Sequence, residues 1–216
     1  MKMTRSAGLV AACVSTLLAA TPLAGFAEDQ NPLQDPGFES ETDAKDGGWD
    51  MFGPSRFSAE YSRQGNISML NGATSKSVPY PPYFIGTVSG SYQEFPASPG
   101  SQWRLTGYGL TPRKLVGTPA FGIVQISFFD DRGRDIGTAE TADEASPKAK
   151  LSNRINNQSA VGEWISLDTG VATAPEGTAT VQAFTIYVDY SGSNIFQGVY
   201  FDDLSLECVG GNCPTE

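Results

Sequence analysis

The chain of 216 residues contains no histidine. That absence removes Ser-His-Asp and Cys-His machinery, imidazole-bound metals and the side chain that most often moves protons near neutrality. Catalysis would have to rest on carboxylates, tyrosine or lysine. Basic residues are scarce as well, with 14 Lys and Arg against 24 Asp and Glu and a formal charge of −10. Without a basic cluster, nucleic acid and anionic membranes are poor partners. Long apolar runs are missing beyond the N-terminus, so insertion of the mature chain into a membrane by a spanning helix is not expected; such a helix needs roughly 20 apolar residues. Cysteine is limited to three, Cys13, Cys208 and Cys213.

What is present begins with an address. Lys2 and Arg5 precede an apolar stretch from Ala7 to about Ala20, and small residues stand at Gly25 and Ala27. This order reads as a secretory signal peptide cut after Ala27, which makes the protein secreted or periplasmic. Val10-Ala11-Ala12-Cys13 loosely resembles a lipoprotein cleavage site, but a cut there leaves too little of the apolar run. Loss of Lys2 and Arg5 moves the formal charge from −10 to −12. Such acidity serves solubility, or supplies oxygen ligands for calcium. The expected organisation is a leader over 1–27, one sandwich domain over 28–207, and a tail over 208–216. Cys208 and Cys213 read as a disulfide, because an even pair in an exported chain usually pairs and the intervening glycines allow a tight loop. A zinc site is the alternative, and it is a poor one without histidine.

The mature chain shows no heptad and no sustained helical period. It alternates short β-rich runs with Gly, Pro, Asn, Asp and Ser, the pattern of an all-β sandwich or barrel. Strands are predicted at Trp103–Tyr108, Ile123–Phe129, Thr178–Val188 and Val199–Leu206, with turns at Asp130–Gly133 and Ala174–Gly177. Asp135-Ile136-Gly137 opens a return strand. Long loops are predicted from Asn71 to Pro82 and from Thr138 to Ala160, and long loops in a compact sandwich often carry function. Asn66-Ile67-Ser68 and Asn157-Gln158-Ser159 match the glycosylation acceptor pattern, which matters only in a glycosylating host.

Several segments line up in order with one family. Asn31 to Glu39, with Asp35-Pro36-Gly37-Phe38-Glu39 at its end, resembles the opening strand of galactose-binding-like jelly-roll carbohydrate-binding modules, and Trp49 follows at a similar distance. Tyr61–Leu70, Pro99–Thr106, Phe128–Gly133, the stretch from Trp164 to Ala179, and Gly198–Leu206 resemble successive strands and turns of the same family. The resemblance covers nearly the whole mature chain and leaves little room for a catalytic domain. It implies an antiparallel two-sheet β-sandwich, a jelly roll, and it implies a structural calcium where first and last strands meet. Glu39 and Asp202 match the acidic positions, Asp203 is the rival to Asp202, and backbone carbonyls near Gly65 would complete the shell.

Sugar binding needs flat aromatic faces and polar groups for the hydroxyls. Trp49, Trp103 and Trp164 sit beside apolar patterns and are expected to be largely buried. Tyr80 and Tyr83 stand among Pro79, Pro81 and Pro82, which hold a loop extended and lower the entropy lost on binding. They are the leading ligand-binding candidates, with Tyr108, Tyr190 and Phe196 behind them. Arg154 and Asn156, with Asn157 and Gln158, could add polar contacts. The expected function is therefore that of a secreted, monomeric, non-catalytic protein that binds a polysaccharide or oligosaccharide. An extracellular adhesion module with a protein partner is the alternative. A Tyr-based polysaccharide lyase is the third reading, although no lyase motif is recognisable and no glycosidase carboxylate pair can be assigned.

Overall fold

The computed structural model describes residues 31–40, 48–72, 87–190 and 195–214. In chain order its strands are β1 (Asp50–Phe52), β2 (Ser55–Ser58), β3 (Ser68–Gly72), β4 (Thr87–Pro96), β5 (Gln102–Leu110), β6 (Ala120–Phe129), β7 (Asp135–Gly137), β8 (Lys150–Leu151), β9 (Ile165–Thr173), β10 (Thr180–Asp189) and β11 (Gly198–Gly210). Among the described residues there is no helix. One sheet has the order β1-β4-β10-β6-β7, with β8 also pairing β6; the other has the order β2-β3-β11-β5-β9. Every pairing is antiparallel. This is the expected all-β, two-sheet sandwich.

The inner faces make one core. In β5, Trp103 and Leu105 point inward while Gln102 and Arg104 point out, the period of two that a half-buried strand requires. Val124, Ile126 and Phe128 of β6 and Val181, Ala183 and Tyr187 of β10 join the same core, facing Phe201, Leu204 and Leu206 of β11. Full burial of side chains of this size contributes about 1.5–3 kcal/mol each before entropy is counted. The two buried tryptophans each satisfy their indole N–H: Trp49 donates to the Asp35 carbonyl at 3.0 Å and Trp103 to Ser101 Oγ at 2.8 Å. Trp164 is only partly buried, against a smaller cluster of Leu70, Leu110 and Tyr200.

Two features differ from the sequence expectation. The last strand continues past Leu206 to Gly210, and Cys208 pairs opposite Trp103 of β5. The Cys208–Cys213 disulfide is present, with Cα atoms 5.8 Å apart. Half of the bridge thus sits in a strand, not in a free tail, because Gln102 and Trp103 offer β11 a neighbour beyond its apolar pattern. The stretch predicted as a loop from Thr138 to Ala160 is also partly sheet. β8 pairs β6, and Ile155 makes a further bridge to Gly122, donating to and accepting from it at 2.9 and 2.8 Å. Burial of Ile155 in the core gives this stretch its anchor.

Candidate functional site

The parity of β10 assigns the outer surface of the six-stranded sheet. Val181, Ala183 and Tyr187 are core, so Gln182, Phe184, Ile186 and Val188 face outward. Register extends that face across the sheet. Phe184 lies opposite Tyr92 of β4 and Gln125 of β6, Tyr92 lies opposite Asp50 of β1, and Gln125 lies opposite Leu151 of β8. In the next row Ile186 lies between Gly90 and Ile123, and Gly90 lies opposite Phe52. Gly90 has a spatial reason to lack a side chain: a Cβ there would meet Phe52 Cζ at 2.5 Å. The Phe52 ring therefore closes over the strand and comes beside Tyr92.

The result is a run of three rings. The Phe52 and Tyr92 centroids are 6.5 Å apart, and those of Tyr92 and Phe184 are 5.3 Å apart. All three rings are partly exposed. Polar groups border them. Gln182 Nε2 donates to Glu94, and Gln125 Nε2 donates to Ser127 Oγ at 2.9 Å. Burial raises the Tyr92 phenol, and the Asp50 carboxylate that it faces raises it further, so it stays a neutral donor. At the far side of the same face Phe121, opposite Val188, carries the Arg154 guanidinium 4.3 Å above its ring centroid. Aromatic faces flanked by a few fixed polar groups are the usual make-up of a ligand surface.

The sequence-predicted ligand residues fare differently. Arg154 reaches this face. Asn156 takes part in a local turn: its Oδ1 accepts the Gln158 N–H at 2.8 Å and its backbone N–H donates to Ser159 Oγ at 3.0 Å. Tyr80 and Tyr83 lie outside the described residues. Tyr108 is covered by Arg63, 3.6 Å above its ring, while Tyr190 and Phe196 are exposed. Phe52, Tyr92, Phe121 and Phe184 were missed. One signal for them existed, namely that β10 and β6 are apolar on both parities, which a strand with one solvated face is not.

The expected calcium positions do meet. Glu39 and Asp202 both contact the loop 62–67, and Gly65 packs so closely on the Glu39 carboxyl that any Cβ would collide with it. The donor set is the wrong one, however. The loop presents N–H groups: Arg63 to Asp202 Oδ2 at 2.7 Å, Asn66 to Glu39 Oε1 and Oε2 at 3.0 and 2.9 Å, and Ile67 to Glu39 Oε1 at 3.1 Å. The Gly65 carbonyl accepts the Ser62 hydroxyl at 3.3 Å. Calcium takes six to eight oxygens, and N–H groups turned to both carboxylates do not fit it. Among the described residues no group of three or more Asp, Glu or Cys is placed to hold a metal ion. Asp202 is wholly buried, whereas Asp203, at φ 48°, turns to Arg63.

No protein-family model matches the chain, and no curated protein matches it. Solved structures do. The C-terminal family 22 carbohydrate-binding module of Clostridium thermocellum Xyn10B matches with a TM-score of 0.53 at 12% identity, over 84% of this chain and 98% of that one. TmCBM61, solved with beta-1,4-galactotriose, matches at 0.50 and 13%, over 83% of this chain and 99% of that one. An arabinose-bound α-L-arabinofuranosidase, MgGH51, matches at 0.50 and 13%, over 81% of this chain but only 26% of its own length. At such identities the likeness establishes the fold: the two-sheet β-sandwich of jelly-roll carbohydrate-binding modules.

Proposed function

We propose that the chain is an exported, non-catalytic carbohydrate-binding protein, and that its glycan lies on the outer face of the six-stranded sheet. One observation carries this: the Phe52, Tyr92 and Phe184 rings run across three neighbouring strands on that face. A pyranose has an apolar face that stacks on a ring, while its hydroxyls need donors and acceptors at the ring's edge. Gln182, Glu94, Asp50 and Gln125 supply them. Because the rings rise from paired strands, little ordering entropy is lost when a glycan docks. The fold shared with carbohydrate-binding modules supports the same reading.

The same surface supports a binding role over a catalytic one. Asp50 and Glu94 are exposed and flank Tyr92 from the same side of the sheet. They are suited to be edge groups for a bound hydroxyl. The test is incubation of purified protein with a panel of insoluble or gelled polysaccharides. Retention on a glycan, with no reducing ends and no unsaturated products released, is the expected result. Product release would replace this reading by the lyase or hydrolase one. Retention on no glycan, with a protein captured instead, would replace it by the adhesion reading.

A further inference from the structure

The segment 31–39 is fastened to the last strand at a defect in that strand. Pairing of β11 with β5 breaks between Asp202 and Ser205, where Asp203 takes φ 48°. The bulge frees backbone groups, and the N-terminal segment satisfies them. Leu204 N–H donates to the Pro36 carbonyl at 3.0 Å. Asn31 bridges the rest: its Nδ2 donates to the Leu204 carbonyl at 2.9 Å and its Oδ1 accepts the Leu206 N–H at 3.0 Å.

The loop 62–67 holds the other side. Gly65, at φ 64°, is the left-handed residue that lets neighbouring N–H groups converge, the geometry of a backbone anion nest. The anions are the protein's own: Arg63 donates to Asp202, and Asn66 and Ile67 donate to Glu39. The Arg63 side chain adds a full positive charge, 2.5 Å from Asp203 Oδ2 and stacked on Tyr108. Every carboxylate at this junction therefore already faces N–H dipoles or a guanidinium. A divalent cation could enter only if the peptides of the loop turned over, breaking these bonds and meeting the Arg63 charge.

We propose that this junction is a metal-free clasp in which Arg63 and the N–H nest of residues 63–67 join residues 31–39 to β11. The stability of the protein is then independent of calcium. The experiment uses the whole exported protein and needs no glycan, so it stands or falls apart from the binding assignment. Melting curves in chelator and in excess calcium should coincide, and elemental analysis of protein prepared from calcium-containing medium should find no stoichiometric metal. R63Q should lower Tm by roughly 2–6 °C, given about 2–4 °C per kcal/mol for a domain of this size. That difference should shrink at high salt, which screens a partly exposed pair and leaves packing on Tyr108 untouched. A Tm that falls in chelator and recovers with calcium, or one bound calcium per chain, overturns the proposal. So does an R63Q variant that melts with the parent.

Discussion

Where the six-stranded sheet turns Phe52, Tyr92 and Phe184 outward, the five-stranded sheet turns outward Arg104, Thr106, Asp168, Ser205 and Glu207 at one end and, at the other, Tyr108 under Arg63 and Tyr200 packed with Tyr61, Trp164, Leu70 and Leu110. Arg104 and Asp168 are joined by two hydrogen bonds and are well exposed. Both sheets are antiparallel and share one core, so strand geometry cannot account for the contrast. The polar end of the five-stranded sheet needs no partner, and at its other end Tyr108 lies under Arg63 and Tyr200 is buried. The six-stranded sheet leaves a run of partly exposed rings on adjacent strands, and a contiguous exposed apolar patch marks a surface used for contact. This contrast is the reason for proposing that the glycan lies on the six-stranded sheet.

The sharpest test replaces rings on one face only. F184A with Y92A should weaken glycan retention about 30- to 100-fold, the scale of losing central aromatic anchors, as read by affinity electrophoresis. R104Q with D168N should bind like the parent, and loss of binding in that variant would put the site on the wrong sheet.

Replacing Cys208 and Cys213 together by Ser probes the supporting sheet at the end of β11. The loop is short, so the expected cost is about 1–3 kcal/mol in the chain-entropy model, measured by denaturant unfolding, with glycan binding intact. Loss of binding would show that this end of the strand contacts the site.

Acid should then separate two carboxylates of that sheet. Burial raises Asp202 to about 6, above its ordinary 3.8. The native state therefore binds its proton more tightly than the unfolded chain does, and stability rises as pH falls from above 6 towards 3.8. Asp168 is lowered by its hydrogen bonds to Arg104, so its contribution is present above 3.8 and is lost as pH falls through its depressed native value. Asp130, lowered to about 2 by the Arg134 backbone and side chain, adds to that loss. Tm should accordingly peak between about pH 4 and 6, and D202N should remove the rise on its alkaline side. A profile that D202N leaves unchanged would show that this carboxylate is not held as described.

The smallest effect is expected from R104Q alone. Its pair is exposed, and such pairs contribute little to stability. A slight fall in Tm that vanishes at high salt is the expected outcome; a large one would mean that the polar face is more than a solvated surface.

Much of this was legible in advance. Alternation in β5, the Asp130–Gly133 turn and the apolar runs of β6 and β10 announce strands because side-chain period is a local property of the chain. The disulfide was legible from two cysteines close in sequence. Arg154 was singled out as a residue of a loop, whereas an edge of the sheet carries it to Phe121.

The sequence by itself determined the all-β class, the strand periods, and which residues could be buried, since each depends on neighbours along the chain. Only the tertiary structure decided which rings line up across neighbouring strands and which groups face the acidic junction. Tyr92 and Phe184 become neighbours through the register of β4 on β10, strands separated in the chain by β5 to β9. Glu39 and Asp202 look like cation ligands as residue types. They are anions in a nest of N–H groups because of the backbone direction at Gly65, and side-chain chemistry does not encode peptide orientation.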